Sequence, residues 1–272
     1  MSVITKQLGN LHQIELFRES YTKYMKLKLS PGKTVAILAC IALFLLFANI
    51  SVLFSKYALG HDHLMGIVNI FDLNREANFP TFFATFTLFL CSGLFTLIYL
   101  SEKENSKYSA RYWLGLAVVF LFLSFDESLS FHERLSTPIR EFAHLNEYLY
   151  FAWVIPYGVL SFILFLVYLK FLFNLPVRYR NLFLVSGTVF ITGAIGFELF
   201  GAKQYSIRIS IDPNLVQPVH ENIIYALTYT CEETLEMTGV LILIYALMSY
   251  IDRELGELRL SIHPEDKKSS SH

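Results

Sequence analysis

A chain of 272 residues that is 54% apolar, 16% aromatic and only 17% charged, with a mean hydropathy of +0.46, is too apolar for a soluble domain. A formal net charge of −1 excludes the basic face that nucleic acid requires, and three cysteines in apolar surroundings exclude a disulfide-stapled secreted domain. What remains is an all-α membrane protein, and its spans are read from the gaps between charges.

Residues 1–33 are polar and basic, which argues against a cleaved leader. Within them Leu11, Ile14, Phe17, Tyr21, Tyr24 and Met25 recur at helical spacing, interleaved with Lys23, Lys26 and Lys28. Two readings stay open: an amphipathic helix on the anionic cytoplasmic leaflet, or a basic run that only sets topology. About 20 apolar residues cross a hydrocarbon core of about 30 Å. The first span is therefore placed at about 34–55, between Lys33 and Lys56.

The loop that follows carries Asp72, Asn74, Glu76 and Asn78 at alternate positions. This looks like the start of a calcium loop, but Ala77 stands where an EF-hand needs glycine, and no glutamate closes the pattern. A turn and helix cap entering the second span, at about 77–101, is the preferred reading, with Asp72 or Glu76 able to cover a site from outside.

The third span is placed at about 112–132. Only 14 uncharged residues separate Arg111 from Asp126, about 21 Å of helix, so the span must run past Asp126 and Glu127. The fourth, at about 148–169, contains Pro156. The fifth, at about 181–202, is interrupted only by Glu198, with Gly193, Gly196 and Gly201 around it to admit a neighbouring helix closely. The sixth, at about 222–251, holds Glu232, Glu233 and Glu236, with Tyr225 and Tyr229 on the same side.

The expected architecture is a single polytopic bundle of six transmembrane helices over 34–251, with a tail at 252–272 and no internal repeat. Sixteen of the 22 Lys and Arg residues fall in the N-terminal segment, the second and fourth loops and the tail, so both termini are expected in the cytoplasm, with the plasma membrane as location.

Counted from the cytoplasmic surface, the acids of helices three, five and six all reach the outer third of the membrane. An unpaired charge deep in a span costs about 2.5 to 3.5 kcal/mol, so such a group needs protons, a metal or loop arginines to neutralise it. Most histidines also fall on the outer side. His61, His63 and His144 lie in loops away from the acid-bearing helices, whereas His132 and His220 abut them. Imidazole beside carboxylate suits iron, manganese or zinc. In an unbroken helix Asp126, Ser130 and Glu133 share a face and His132 lies off it, so His132 joins them only if the chain bends near Ser128–Ser130.

Three motifs, Phe71-Asp-x-x-x-Glu76-x-Asn78-x-Pro80-Thr, Ser124-Phe-Asp-Glu-x-x-x-x-His132-Glu133 and Glu232-Glu-x-x-Glu236-x-x-Gly239, resemble those of uncharacterised bacterial multipass membrane proteins over residues 65–250. The resemblance implies a multipass fold and carries no activity with it.

The leading functional expectation is a membrane-embedded metalloenzyme acting on a lipid or apolar substrate from the outer leaflet. Glu127, His132, Glu198, Glu233 and Glu236 are the expected ligands of a divalent metal. Asp126 and Glu232 are expected as general bases or as groups that orient the ligands. Glu133, His220, Tyr225 and Tyr229 are accessory candidates. A proton- or cation-coupled carrier is the alternative, although an uncharged inner half opposes conduction. A structural or sensor protein with carboxyl groups bonded across helices is the third possibility. No Gly-x-Ser-x-Gly elbow accompanies Ser124, Ser128 or Ser130, and no phosphate-binding glycine loop is present.

Overall fold

A computed structural model describes residues 30–60, 67–102, 107–143, 149–211 and 223–255. The basic N-terminal pattern, His220 and most of the C-terminal tail lie outside the described residues. All regular structure among the described residues is helical. Six helical segments are long and apolar enough to cross a membrane: Pro31–Leu59, Phe79–Glu102, Ala110–Leu129, Val154–Asn174, Val177–Gln204 and Ile223–Leu255.

In chain order α1 (Pro31–Leu59) leads through the short α2 (Ile67–Phe71) to α3 (Phe79–Glu102) and α4 (Lys107–Leu129). Then come α5 (Phe131–Ala143), α6 (Val154–Asn174), α7 (Val177–Ile191), a π-helical stretch (Thr192–Phe197), α8 (Glu198–Ile211), α9 (Ile223–Tyr250) and a closing π turn (Ile251–Leu255). The helix boundaries follow local chemistry. Pro31 opens α1 where its missing N–H costs nothing, and Gly60, at φ 68°, closes it in the left-handed conformation. Asn78 caps α3, its Oδ1 accepting the Thr81 N–H at 3.0 Å. Pro156 falls in the first turn of α6 and so needs no neighbour to cover a freed carbonyl.

The third span ends at Leu129, not at residue 132 as its charge spacing predicts. Ser130 takes a left-handed φ of 50°, and the chain restarts as α5. A non-glycine residue holds that conformation only under outside constraint.

Helix α9 is the centre of the bundle, packed against α1, α3, α7 and the π-helical stretch, while α6 is peripheral and presents most of its surface outward. Two glycines set the approach of α9 to the fifth span. A Cβ on Gly239 would lie 2.9 Å from the Phe190 backbone nitrogen, and one on Gly193 would lie 2.8 Å from the Glu232 carbonyl oxygen. Gly196 is different, meeting only Thr192 of its own helix at 3.8 Å.

One half of the bundle is an aromatic core. Trp113 is fully buried, with Phe171 at 4.8 Å, Tyr250 at 5.1 Å, and Phe95 and Phe183 at 6.1 Å between ring centroids. The other half, where α1, α4 and the fifth span end and α3, α6 and α9 begin, holds the acids.

Candidate functional site

The turn at Ser130 decides the site. By folding the chain back after α4, it places His132 over Asp126 six residues earlier. The His132 backbone N–H donates to Asp126 Oδ1 at 3.1 Å, and His132 Nδ1 lies 3.0 Å from Asp126 Oδ2. From α6, Tyr157 donates its hydroxyl to Asp126 Oδ1 at 2.8 Å. Asp126 is buried and both of its oxygens are taken. Of the two roles expected for it, general base or a group that orients a ligand, these bonds fit the second. The bend also separates Glu133 from the face it would share with Asp126 in a straight helix.

Trp153, at the start of α6, packs edge-on against His132 at 4.7 Å between centroids and donates its indole N–H to Glu198 Oε1 at 2.8 Å. Glu198 follows directly on the π-helical stretch Thr192–Phe197. Such a stretch inserts a residue into the helical register and re-aims what comes after it. Glu198 is also hydrogen-bonded to Glu232 of α9.

The remaining acids gather around these. Glu233 interacts with Glu236, Glu127, Glu76 and Glu198, and Glu236 with Glu127, His132 and Glu198. The third, fifth and sixth spans thus bring their carboxylates within electrostatic reach of one another, and Glu127, Glu198, Glu232, Glu233 and Glu236 are each half-buried, keeping some accessible surface. Among the described residues no three His, Cys, Asp or Glu side chains form a ready-made metal-binding group.

Beyond the ends of the spans, two groups sense this concentration of negative charge. Burial of the His132 ring opposes its charged form. The hydrogen bond to Asp126 and the charges of Asp126, Glu127 and Glu133 outweigh that burial and push it up to about 9. Glu76, in the first loop, is raised by burial, against a hydrogen bond to Ser130 that lowers it, with Glu133 adding to the rise. Glu76 thus ties the loop to the very residue where α4 turns. Glu133 itself is exposed on α5 and acts on the group by charge alone.

Tyr225 and Tyr229 belong to a network that reaches the first loop. Tyr225 donates to Asn74 Oδ1 at 3.1 Å, and Tyr229 is hydrogen-bonded to buried Asp72. Fully buried Asn49 of α1 completes this anchor, donating to Thr230 Oγ1 at 3.0 Å and accepting from the Leu73 N–H at 3.1 Å. The first loop is thus held by two helices, α1 and α9. Its Ala77 adopts φ 57°, the left-handed conformation that glycine would take more readily.

Charge counting does not reach Trp153, Tyr157 and Asn49, since none is charged. A Trp-x-x-x-Tyr pair at the acid-bearing end of an otherwise aliphatic span is the signal that points to the first two.

Residues 35–251 match the family model described as "Domain of unknown function (DUF8692)". No curated protein matches the chain, and no solved structure does.

Proposed function

The chain belongs to the DUF8692 family, and from its geometry we propose that it is a membrane-embedded metal-dependent enzyme acting on a lipid or other apolar substrate at the outer leaflet. The observation that carries this reading is the Asp126–His132 pair. A histidine whose Nδ1–H is committed to a buried carboxylate presents Nε2 as a ligand in a fixed tautomer, the arrangement that metal-binding histidines use almost without exception. Tyr157 and the His132 backbone N–H saturate Asp126, so its task is orientation.

Around this imidazole, Glu127, Glu198, Glu233 and Glu236 are the oxygen donors. Several carboxylates with one histidine favour iron or manganese over structural zinc. Loading the ion requires carboxylate rotamers to turn inward, because no three of the donors converge as they stand. Bound there, a divalent cation would offset the charge that three helices bring together, and it would supply Lewis acidity or activate a water. Glu232, hydrogen-bonded to Glu198, would take or return a proton in this reading.

The aromatic core opposes the carrier reading. A coupled ion would have to pass Phe95, Trp113, Phe171, Phe183 and Tyr250, which fill the opposite half of the bundle with rings at van der Waals packing.

Elemental analysis of detergent-purified protein, incubated separately with iron, manganese and zinc and then desalted, tests the proposal. Wild type should retain about one or two ions per chain, and Glu236→Gln should retain markedly less. Wild type without stoichiometric metal under all three conditions overturns it.

A further inference from the structure

Helix α5 divides into three sectors. His132, Ser136, Ile139 and Arg140 face the bundle, Ser136 being buried and Arg140 stacking on the Tyr150 ring at 4.2 Å. Glu133, Arg134, Thr137 and Glu141 form an exposed polar sector. Between these lies an exposed apolar sector of Phe131, Leu135, Pro138 and Phe142, with Phe142 90% exposed. Soluble proteins rarely leave such a face to water.

Its position indicates what covers it. On α4, Phe122, Phe125 and Leu129 are exposed apolar residues on the outward face of a membrane span. That row runs to the end of α4, and one residue later the apolar sector of α5 continues it. The chain leaves the hydrocarbon where α5 begins, and the 13 residues of α5 hold an apolar strip beside a charged one, as a helix lying at a bilayer surface does.

We propose that α5 is an interfacial helix, lying in the leaflet at the carboxylate end with Phe131, Leu135 and Phe142 among the upper acyl chains and Glu133, Arg134 and Glu141 at the headgroups. Since His132 occupies its first turn, the lipid surface itself helps to hold the imidazole over Asp126. The inference concerns where α5 lies and does not depend on the site binding a metal.

The test uses nitroxide labels on single cysteines at Glu133, Leu135, Thr137 and Phe142. The background replaces Cys40, Cys91 and Cys231 with alanine, and the protein is reconstituted in phosphatidylethanolamine–phosphatidylglycerol vesicles. Val159, exposed on α6, is the lipid-facing reference. Collisions with oxygen should exceed those with a water-soluble nickel chelate at 135 and 142, as at 159, and the ratio should reverse several-fold at 133 and 137. Should the triple replacement fold poorly, Phe142→Trp in the otherwise unchanged chain replaces it, with added fluorescence that lipids brominated high on the acyl chain quench. A nickel-accessible label at 142, or an unquenched tryptophan, places the helix in water and overturns the proposal. Shielding of 135 and 142 from both reagents also overturns it, by showing the face covered by protein.

Discussion

The two halves of this bundle solve opposite problems. In the half around Trp113 the helices meet through rings, and the polar groups there are few, as where Tyr168 donates to the Tyr112 carbonyl at 3.0 Å. In the half around Asp126 they meet through carboxyl groups, an imidazole, an indole N–H and a phenol. Within a membrane, apolar burial drives helix association only weakly, so each half must use close packing or hydrogen bonds, and only the second leaves groups able to do chemistry. On the proposed reading, stability and function lie at different ends of the same helices.

The largest effect that separates the halves is expected from Trp113→Ala. Emptying the centre of the aromatic core should cost about 3 to 5 kcal/mol, read as a fall in midpoint of thermal or denaturant unfolding in detergent. Metal retained by the protein that still folds should be unchanged. A matching loss of metal would show that the two halves are not separable.

Next comes the seam that both halves share. Gly239→Ala should destabilise by about 1 to 3 kcal/mol, because the atoms it meets are Phe190 backbone and Cβ and the Ser186 carbonyl, which cannot swing away. Gly193→Ala should act similarly and also displace the Glu232–Glu236 segment, whereas Gly196→Ala should be neutral or slightly stabilising. Equal effects at all three positions would contradict the packing.

Within the polar half, Asp126→Asn should lower metal affinity by about 10- to 100-fold while changing stability far less than Trp113→Ala does, since it removes the partner that orients His132. Tyr157→Phe, which removes one of the bonds to Asp126, should lie between wild type and Asp126→Asn. Metal titration of the three proteins side by side measures this. An order with Tyr157→Phe lowest would assign the tyrosine a direct role instead.

The smallest effect is the pH dependence of chelator-treated protein. His132 is held up to about 9 in the folded protein against about 6.5 when free, so the native state binds its proton more tightly. The stabilisation is complete below pH about 6.5 and is lost as pH rises through about 9. The unfolding midpoint should fall across that window, with a smaller fall in Asp126→Asn. An equal slope in both proteins would mean that another group titrates there.

The amino-acid sequence by itself determined the class of fold, the six apolar helices and the helices that carry acid. Those properties rest on one-dimensional quantities: 14 uncharged residues before Asp126 are too few to cross a bilayer, whatever their neighbours do. Which side chains meet was decided by the tertiary structure. Helical phase predicts His132 off the face of Asp126, and one residue at φ 50° reverses that. The reversal is stabilised by contacts with Glu76, Trp153 and Tyr157, which come from a loop and a helix remote in the chain. Likewise the Glu198–Glu232 bond depends on a π-helical shift and on glycines that let α9 approach. A span is fixed by what it must avoid, namely charge in hydrocarbon, and this can be counted along the chain. A site depends on distances and rotations between segments, which become definite only once the bundle has packed.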